Sequence, residues 1–105
     1  MIRVITNLVK NAIQATENIK DSKIIVSVKK LRNKAIIEIE DNGDGIPRKN
    51  RDKIFEPKFT TKSKGMGLGL SIIKNLVTNY NGKIDFVSKK GKTIFKIELP
   101  IHKNI

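Results

Sequence analysis

Two spacings of apolar residues alternate along this chain. Over residues 2–18 they recur three and four positions apart (Ile2, Ile5, Leu8 and Val9, Ala12, Ile13), which predicts an amphipathic helix. Asn18–Ser22 reads as a turn. From Lys23 to Leu31 the period falls to two, with Ile24, Val26 and Val28 on one face, and Ala35–Asp41 continues it with Ala35, Ile37 and Ile39. Arg32-Asn33-Lys34 predicts a tight hairpin between these strands. The helical period returns over Leu70–Tyr80 (Leu70, Ile73, Leu76, Val77, Tyr80) and stops at Asn81-Gly82, a left-handed cap. Lys83–Ser88, with Ile84 and Phe86, and Thr93–Leu99 predict a second hairpin turning at Lys89–Lys92, and Pro100 ends it. Polar residues fill the other face of the strands, so the sheet should be covered on one side. The order predicts an α/β two-layer sandwich: a mixed, mostly antiparallel four-stranded sheet with helices on one face.

Between the strand ending at Asp41 and the helix starting at Leu70 lies a long connection. Residues 48–64 carry seven basic side chains (Arg48, Lys49, Arg51, Lys53, Lys58, Lys62, Lys64) and a short helical turn at Asp52–Phe55. A loop of this length in a small domain is usually functional or disordered, and its composition suits a lid over phosphates. It leads into Lys64–Ser71, KGMGLGLS, where Gly65, Gly67 and Gly69 run straight into the helix. A glycine loop at a helix N-terminus offers free N–H groups and the positive dipole end, which suits an anion. The same loop also fits a linker or a tightly packed turn. Two common phosphate motifs are excluded by counting. A dinucleotide fingerprint would need glycine at Leu70 or Ile72, and a P-loop ending at Gly91-Lys92-Thr93 would need one at Phe86.

Asn7 and Asn11 sit four residues apart, on one helix face at the margin of the apolar stripe. Asparagine is a poor helix former, so the pair invites explanation: two amide oxygens able to ligate a hard cation such as Mg²⁺, or two solvent-facing side chains. Asp41-Asn42-Gly43-Asp44-Gly45-Ile46-Pro47 places a carboxylate at a strand end before two glycines. It fits a ligand acceptor or an ordinary turn, and its glycine positions rule out a calcium loop.

Length limits the chain, residues 1–105, to one domain with a modest core. No apolar run is long enough to span a membrane, and no signal peptide is visible. With no cysteine there is no disulfide or thiolate metal site, and the lone His102 argues against a histidine-based one. The net charge of +12 favours anionic partners. Its even spread and few aromatics argue against a nucleic-acid reader.

In order, Asn7-Leu8-Val9-Lys10-Asn11-Ala12 resembles the N box of sensor histidine kinases. Asp41-Asn42-Gly43-Asp44-Gly45-Ile46 resembles their G1 box, Ile54-Phe55-Glu56-Pro57-Lys58-Phe59-Thr60-Thr61-Lys62 their F box, and Gly65-Met66-Gly67-Leu68-Gly69-Leu70 their G2 box. Gly91-Lys92-Thr93 resembles the closing glycine–threonine element. Four motifs in fixed order are far more specific than any one, and the resemblance covers practically the whole chain. It implies the catalytic, ATP-binding domain of the Bergerat fold, with wording closest to nitrogen-regulation and sporulation-type kinases.

The resemblance implies roles. Asn11 would ligate Mg²⁺, and Asn7 would be the catalytic residue that helps position the reacting groups near the γ-phosphate. Asp41 would accept from the adenine amino group. Gly43 and Gly45 would let the backbone approach the base, and Ile46 and Phe55 would line the adenine pocket or lid. Thr61, Lys62, Gly65 and the amides of Gly67, Leu68, Gly69 and Leu70 would hold the polyphosphate, and Thr93 would support the water network beside adenine. The implied cofactors are ATP and Mg²⁺. The implied partners are a histidine-containing dimerisation domain and a response regulator, with no nucleic acid and no membrane contact by the chain itself. The implied location is the cytoplasm, including as the cytosolic part of a membrane-associated sensor. The family's first strand and its phosphoacceptor segment are not matched in these residues, so autophosphorylation by this segment alone is not expected. Gln14, Ala15 and Lys58 depart from the family's usual residues. A non-catalytic ATP-binding remnant, an anti-sigma-type serine kinase and a basic nucleic-acid-binding module are the alternative readings.

Overall fold

The computed structural model describes residues 2–56 and 70–101. Helix α1 (Ile2–Ala15) leads to strands β1 (Ile24–Leu31) and β2 (Lys34–Asp41). A short helix α2 (Arg48–Arg51) follows, then α3 (Leu70–Asn79), β3 (Lys83–Lys89) and β4 (Lys92–Pro100). The other expected elements are present with shifted ends, but the short helix lies at Arg48–Arg51, and Asp52–Phe55, expected as the helical turn, is the turn that follows it. Helix α1 stops three residues early: past Ala15 the backbone bonds tighten to a three-residue spacing, with Glu17 N–H donating to the Gln14 carbonyl (3.3 Å) and Ile19 N–H to the Thr16 carbonyl (3.0 Å). The first hairpin closes on two residues, since Leu31 pairs with Lys34 and Arg32 takes a left-handed φ of 57°. At the end of α3, Asn81 is left-handed (φ 63°) and Gly82 N–H donates to the Val77 carbonyl at 3.0 Å, as a C-cap requires.

The strands form one sheet in the order β1-β2-β4-β3, and every pairing is antiparallel. The expected sheet is mixed and mostly antiparallel. Strands β2 and β3 do run the same way, but β4 inserts between them, so no parallel ladder forms. Helices α1 and α3 cover one face. Val4, Leu8, Ile39, Ile73, Val77 and Ile97 are the largest fully buried side chains there. The buried stripe of α1 is Val4, Leu8 and Ala12, whereas the expected stripe member Ile13 is 52% exposed. Tyr80, expected on the apolar face of α3, is 53% exposed and lies one residue past the helix. On the open face, the exposed ion pairs Lys34–Glu98 (3.4 Å) and Lys96–Glu98 (3.8 Å) serve solvation more than stability.

Candidate functional site

The strand register puts a polar row at one end of the covered face. Asp41 on β2 lies opposite Thr93 on β4, which lies opposite Ser88 on β3; the next rows inward are Ile39–Phe95–Phe86 and Ile37–Ile97–Ile84. All three polar residues are buried, with Asp41 5%, Thr93 4% and Ser88 7% exposed. Buried polar groups must find partners. Asp41 Oδ1 accepts from Gly43 N at 2.9 Å, Ser88 Oγ accepts from Ile46 N at 2.7 Å, and the Ser88 and Thr93 hydroxyls lie 2.8 Å apart.

Beside this row opens a cavity of about 260 Å³. Helix α1 contributes Leu8, Asn11, Ala12 and Ala15 to its wall, and the sheet contributes Ile39, Asp41, Thr93 and Phe95. The remaining wall is the loop Asp44–Pro47 with Asn50 and Ile54, and Leu70 at the start of α3. An apolar cleft with a few convergent polar groups is the form of a small-molecule site. The wall's two notable polar groups are perturbed in different ways. Burial pushes the Asp41 carboxyl above its ordinary range; the Gly43 N–H opposes this and the Glu40 charge adds to it. Asn11 Oδ1 is buried and has no hydrogen-bond partner among the described residues. This unpartnered acceptor belongs to a residue that lines the cavity, although the oxygen itself is shielded from solvent.

The glycines hold the loop by close approach. A Cβ at Gly43 would sit 2.6 Å from the Ala15 carbonyl oxygen, and one at Gly45 would sit 2.6 Å from that of Lys89. Gly45 also has φ of 86°, which only glycine adopts at low cost. Gly91 N–H donates to the Gly43 carbonyl at 2.9 Å, tying the β3–β4 turn to the same loop. Asn42 fastens the other side: its Oδ1 accepts from Lys23 N at 2.8 Å and its Nδ2 donates to the Asp21 carbonyl at 3.0 Å.

Residues 1–103 match the model of the family described as histidine kinase-, DNA gyrase B-, and HSP90-like ATPase. The chain belongs to this ATPase family. The sensory histidine kinase/phosphatase NtrB of Shigella flexneri is 39% identical over 111 residues, spanning 96% of this chain and 32% of that protein. The chain therefore spans about a third of the length of the curated relatives it matches. Among solved structures, the catalytic domain of histidine kinase ThkA in a nucleotide-free form aligns with a TM-score of 0.81 at 38% identity, over 93% of this chain and 64% of that one. ThkA in complex with the response regulator protein TrrA aligns with a TM-score of 0.78 at 33% identity, over 95% of this chain and 28% of that one.

In this ATPase domain the cavity brings together Asn11, Asp41, Gly45, Ile46, Leu70 and Thr93 from the expected set. Three expected residues stand off its wall. The Asn7 amide donates to the Arg3 carbonyl one turn back, at 2.7 Å, and Asn7 is absent from the lining. Gly43 packs on α1 instead of the cavity. Phe55 is replaced on the wall by its neighbour Ile54, and its own ring meets Phe86 edge-on (6.1 Å between centroids) with the Lys74 ammonium 5.3 Å from its face. Thr61, Lys62, Gly65, Gly67, Leu68, Gly69 and His102 lie outside the described residues. Among the described residues, no helix is long and apolar enough to cross a membrane. Sequence reasoning overlooked Ser88, although the alternation Ile84, Phe86, Ser88 puts a hydroxyl on the apolar face opposite Thr93.

Proposed function

We propose that this chain is the ATP-binding catalytic part of a two-component sensor histidine kinase. In this reading it transfers the ATP γ-phosphoryl group to a histidine on a separate dimerisation domain. The observation that carries the reading is the convergence on one cavity wall of Asn11, Asp41 and Thr93, three residues remote in sequence, in a chain of this ATPase family. Asp41 would accept from the adenine amino group, flanked by Ile46, Gly45 and Thr93. Thr61, Lys62, Gly65, Gly67, Leu68 and Gly69 would hold the phosphates on the strength of their motifs, with residues 48–64 as the lid. The position of Leu70 on the wall supports this, because it brings the N-terminus of α3 to the cavity. The role of Asn7 near the γ-phosphate stands on its motif alone.

The donor set fits Mg²⁺. Among the described residues no cluster of three acidic or histidine side chains exists that could cage a metal by itself. The bare Asn11 Oδ1 instead suits an ion that takes one protein oxygen and completes its shell with phosphate and water. ATP supplies the phosphoryl group and Mg²⁺ offsets its charge. The protein's own work is positioning and the exclusion of water, with no covalent step on its side chains. A response regulator partner is proposed by analogy with the ThkA–TrrA complex. Calorimetric titration with a non-hydrolysable Mg–ATP analogue tests the site, and γ-labelled ATP with an added histidine-bearing dimerisation segment tests the transfer. Absence of nucleotide binding would refute the reading, and binding without labelled histidine would reduce it to a non-catalytic nucleotide module.

A further inference from the structure

Ser88 lies behind the cavity wall, not on it, and the family reading gives it no role. Its hydrogen bonds nevertheless have a direction. Ser88 Oγ accepts from the Ile46 N–H at 2.7 Å, and its hydroxyl lies 2.8 Å from Thr93 Oγ1. Either hydroxyl could donate in that pair, but the surroundings decide. If Thr93 donated, the Ser88 proton would be left without an acceptor among the described residues, and Ser88 is buried. An unmade buried donor costs about 1–3 kcal/mol, more than the net gain of a typical hydrogen bond. With Ser88 donating to Thr93, the unpaired proton is instead that of Thr93, which is equally buried but belongs to a residue that lines the cavity, where water or a ligand can accept it.

We infer that Ser88 is a specificity-determining positioning residue: it orients the Thr93 hydroxyl as a donor and so selects adenine over guanine. The cavity then presents two neighbouring groups of opposite character, the Asp41 carboxylate as acceptor and the Thr93 hydroxyl as donor, directly opposite each other across β2 and β4. Adenine shows the complementary edge, an amino group beside a bare ring nitrogen, met directly or through one water. Guanine shows a carbonyl beside a ring N–H, which sets acceptor against acceptor at Asp41 and donor against donor at the ring nitrogen. The chain Ile46 N–H to Ser88 to Thr93 fixes the pattern because Ile46 N is itself clamped by the Gly45 turn against β3.

This inference rests on the proposed nucleotide site, and the experiment separates the two. Displacement of a fluorescent Mg–ATP analogue by ATP, GTP and ITP is measured for the parent and for Ser88→Ala, Ser88→Thr, Thr93→Val and the Ser88→Ala/Thr93→Val double variant, with melting temperatures alongside. The expected result is that Ser88→Ala narrows the ATP-over-GTP preference about fivefold, the equivalent of one ordinary hydrogen bond. Ser88→Thr keeps the parent's preference, and the double variant is no less selective than Thr93→Val alone. A merely structural Ser88 would instead lower the melting temperature and weaken ATP, GTP and ITP equally, which would overturn the inference. So would additive losses in the double variant, which also serves if Ser88→Ala alone folds poorly. A parent that binds no nucleotide would overturn the site itself.

Discussion

Replacing Asp41 with asparagine should separate what this residue does for the fold from what it does for the ligand. The carboxylate is nearly sealed from water and its pKa is raised, chiefly by burial. A raised folded-state pKa means that the folded chain holds the proton more tightly than the unfolded one. That stabilising contribution is complete below the unfolded pKa and is lost as pH rises through the folded value. At pH 7 the ionised side chain is therefore a liability to the empty protein. Asparagine removes the charge and keeps an oxygen able to accept from Gly43 N. Asp41→Asn should raise the melting temperature of the ligand-free chain at neutral pH, and its advantage should shrink as pH falls through the Asp41 pKa. Binding should move the other way. A hydrogen bond to a charged group contributes about 1.5–3 kcal/mol, so Mg–ATP affinity should fall about 10- to 150-fold. Differential scanning fluorimetry across pH and isothermal titration read the two effects on the same samples. A variant that melts lower and binds as well as the parent would refute the reasoning on both counts.

Other substitutions test the remaining parts. Asn11→Ala removes a buried acceptor that bonds to nothing described, so it should leave ligand-free stability within about 0.5 kcal/mol or improve it while abolishing the Mg²⁺-dependent share of ATP affinity; equal loss of Mg²⁺-free binding would contradict its role as a metal ligand. Gly45 and Gly91 share a φ of 86°, but only Gly45 has a backbone oxygen in the way. Gly91→Ala should cost about 1–2 kcal/mol of backbone strain in urea unfolding, and Gly45→Ala distinctly more. Ile73→Ala should lose about 2–5 kcal/mol, whereas Ile13→Ala should stay within about 0.5 kcal/mol by the same assay, since Ile73 is sealed in the core and Ile13 is half exposed. Phe55→Ala should loosen the contact with Phe86 and lower the melting temperature while leaving ATP affinity within about twofold, because Ile54 and not Phe55 forms the wall.

Sequence alone determined the element types, the two-layer α/β architecture and most of the cavity's polar groups. Helix and strand differ in period, 3.6 against 2, and that difference is written in the order of residues whatever packs against them. The resemblance to the histidine kinase motifs then singled out Asp41, Asn11 and Thr93, because such motifs are read from the order of residues alone. What tertiary structure decided is everything that depends on which element lies alongside which. The register of β2, β4 and β3 aligned Asp41, Thr93 and Ser88 in one row, and so turned an unremarked serine into the partner of Thr93. The approach of α1 to the sheet chose Val4 over Ile13 for burial, and it left Asn11 on the cavity wall while Asn7 bonds back to its own helix. The insertion of β4 made every pairing antiparallel, and the turn after α2 sent Ile54 inward and Phe55 toward Phe86. Periodicity names a face but not the neighbour that will cover it. Burial, and with it the raised Asp41 pKa and the bare Asn11 oxygen, exists only once that neighbour is in place.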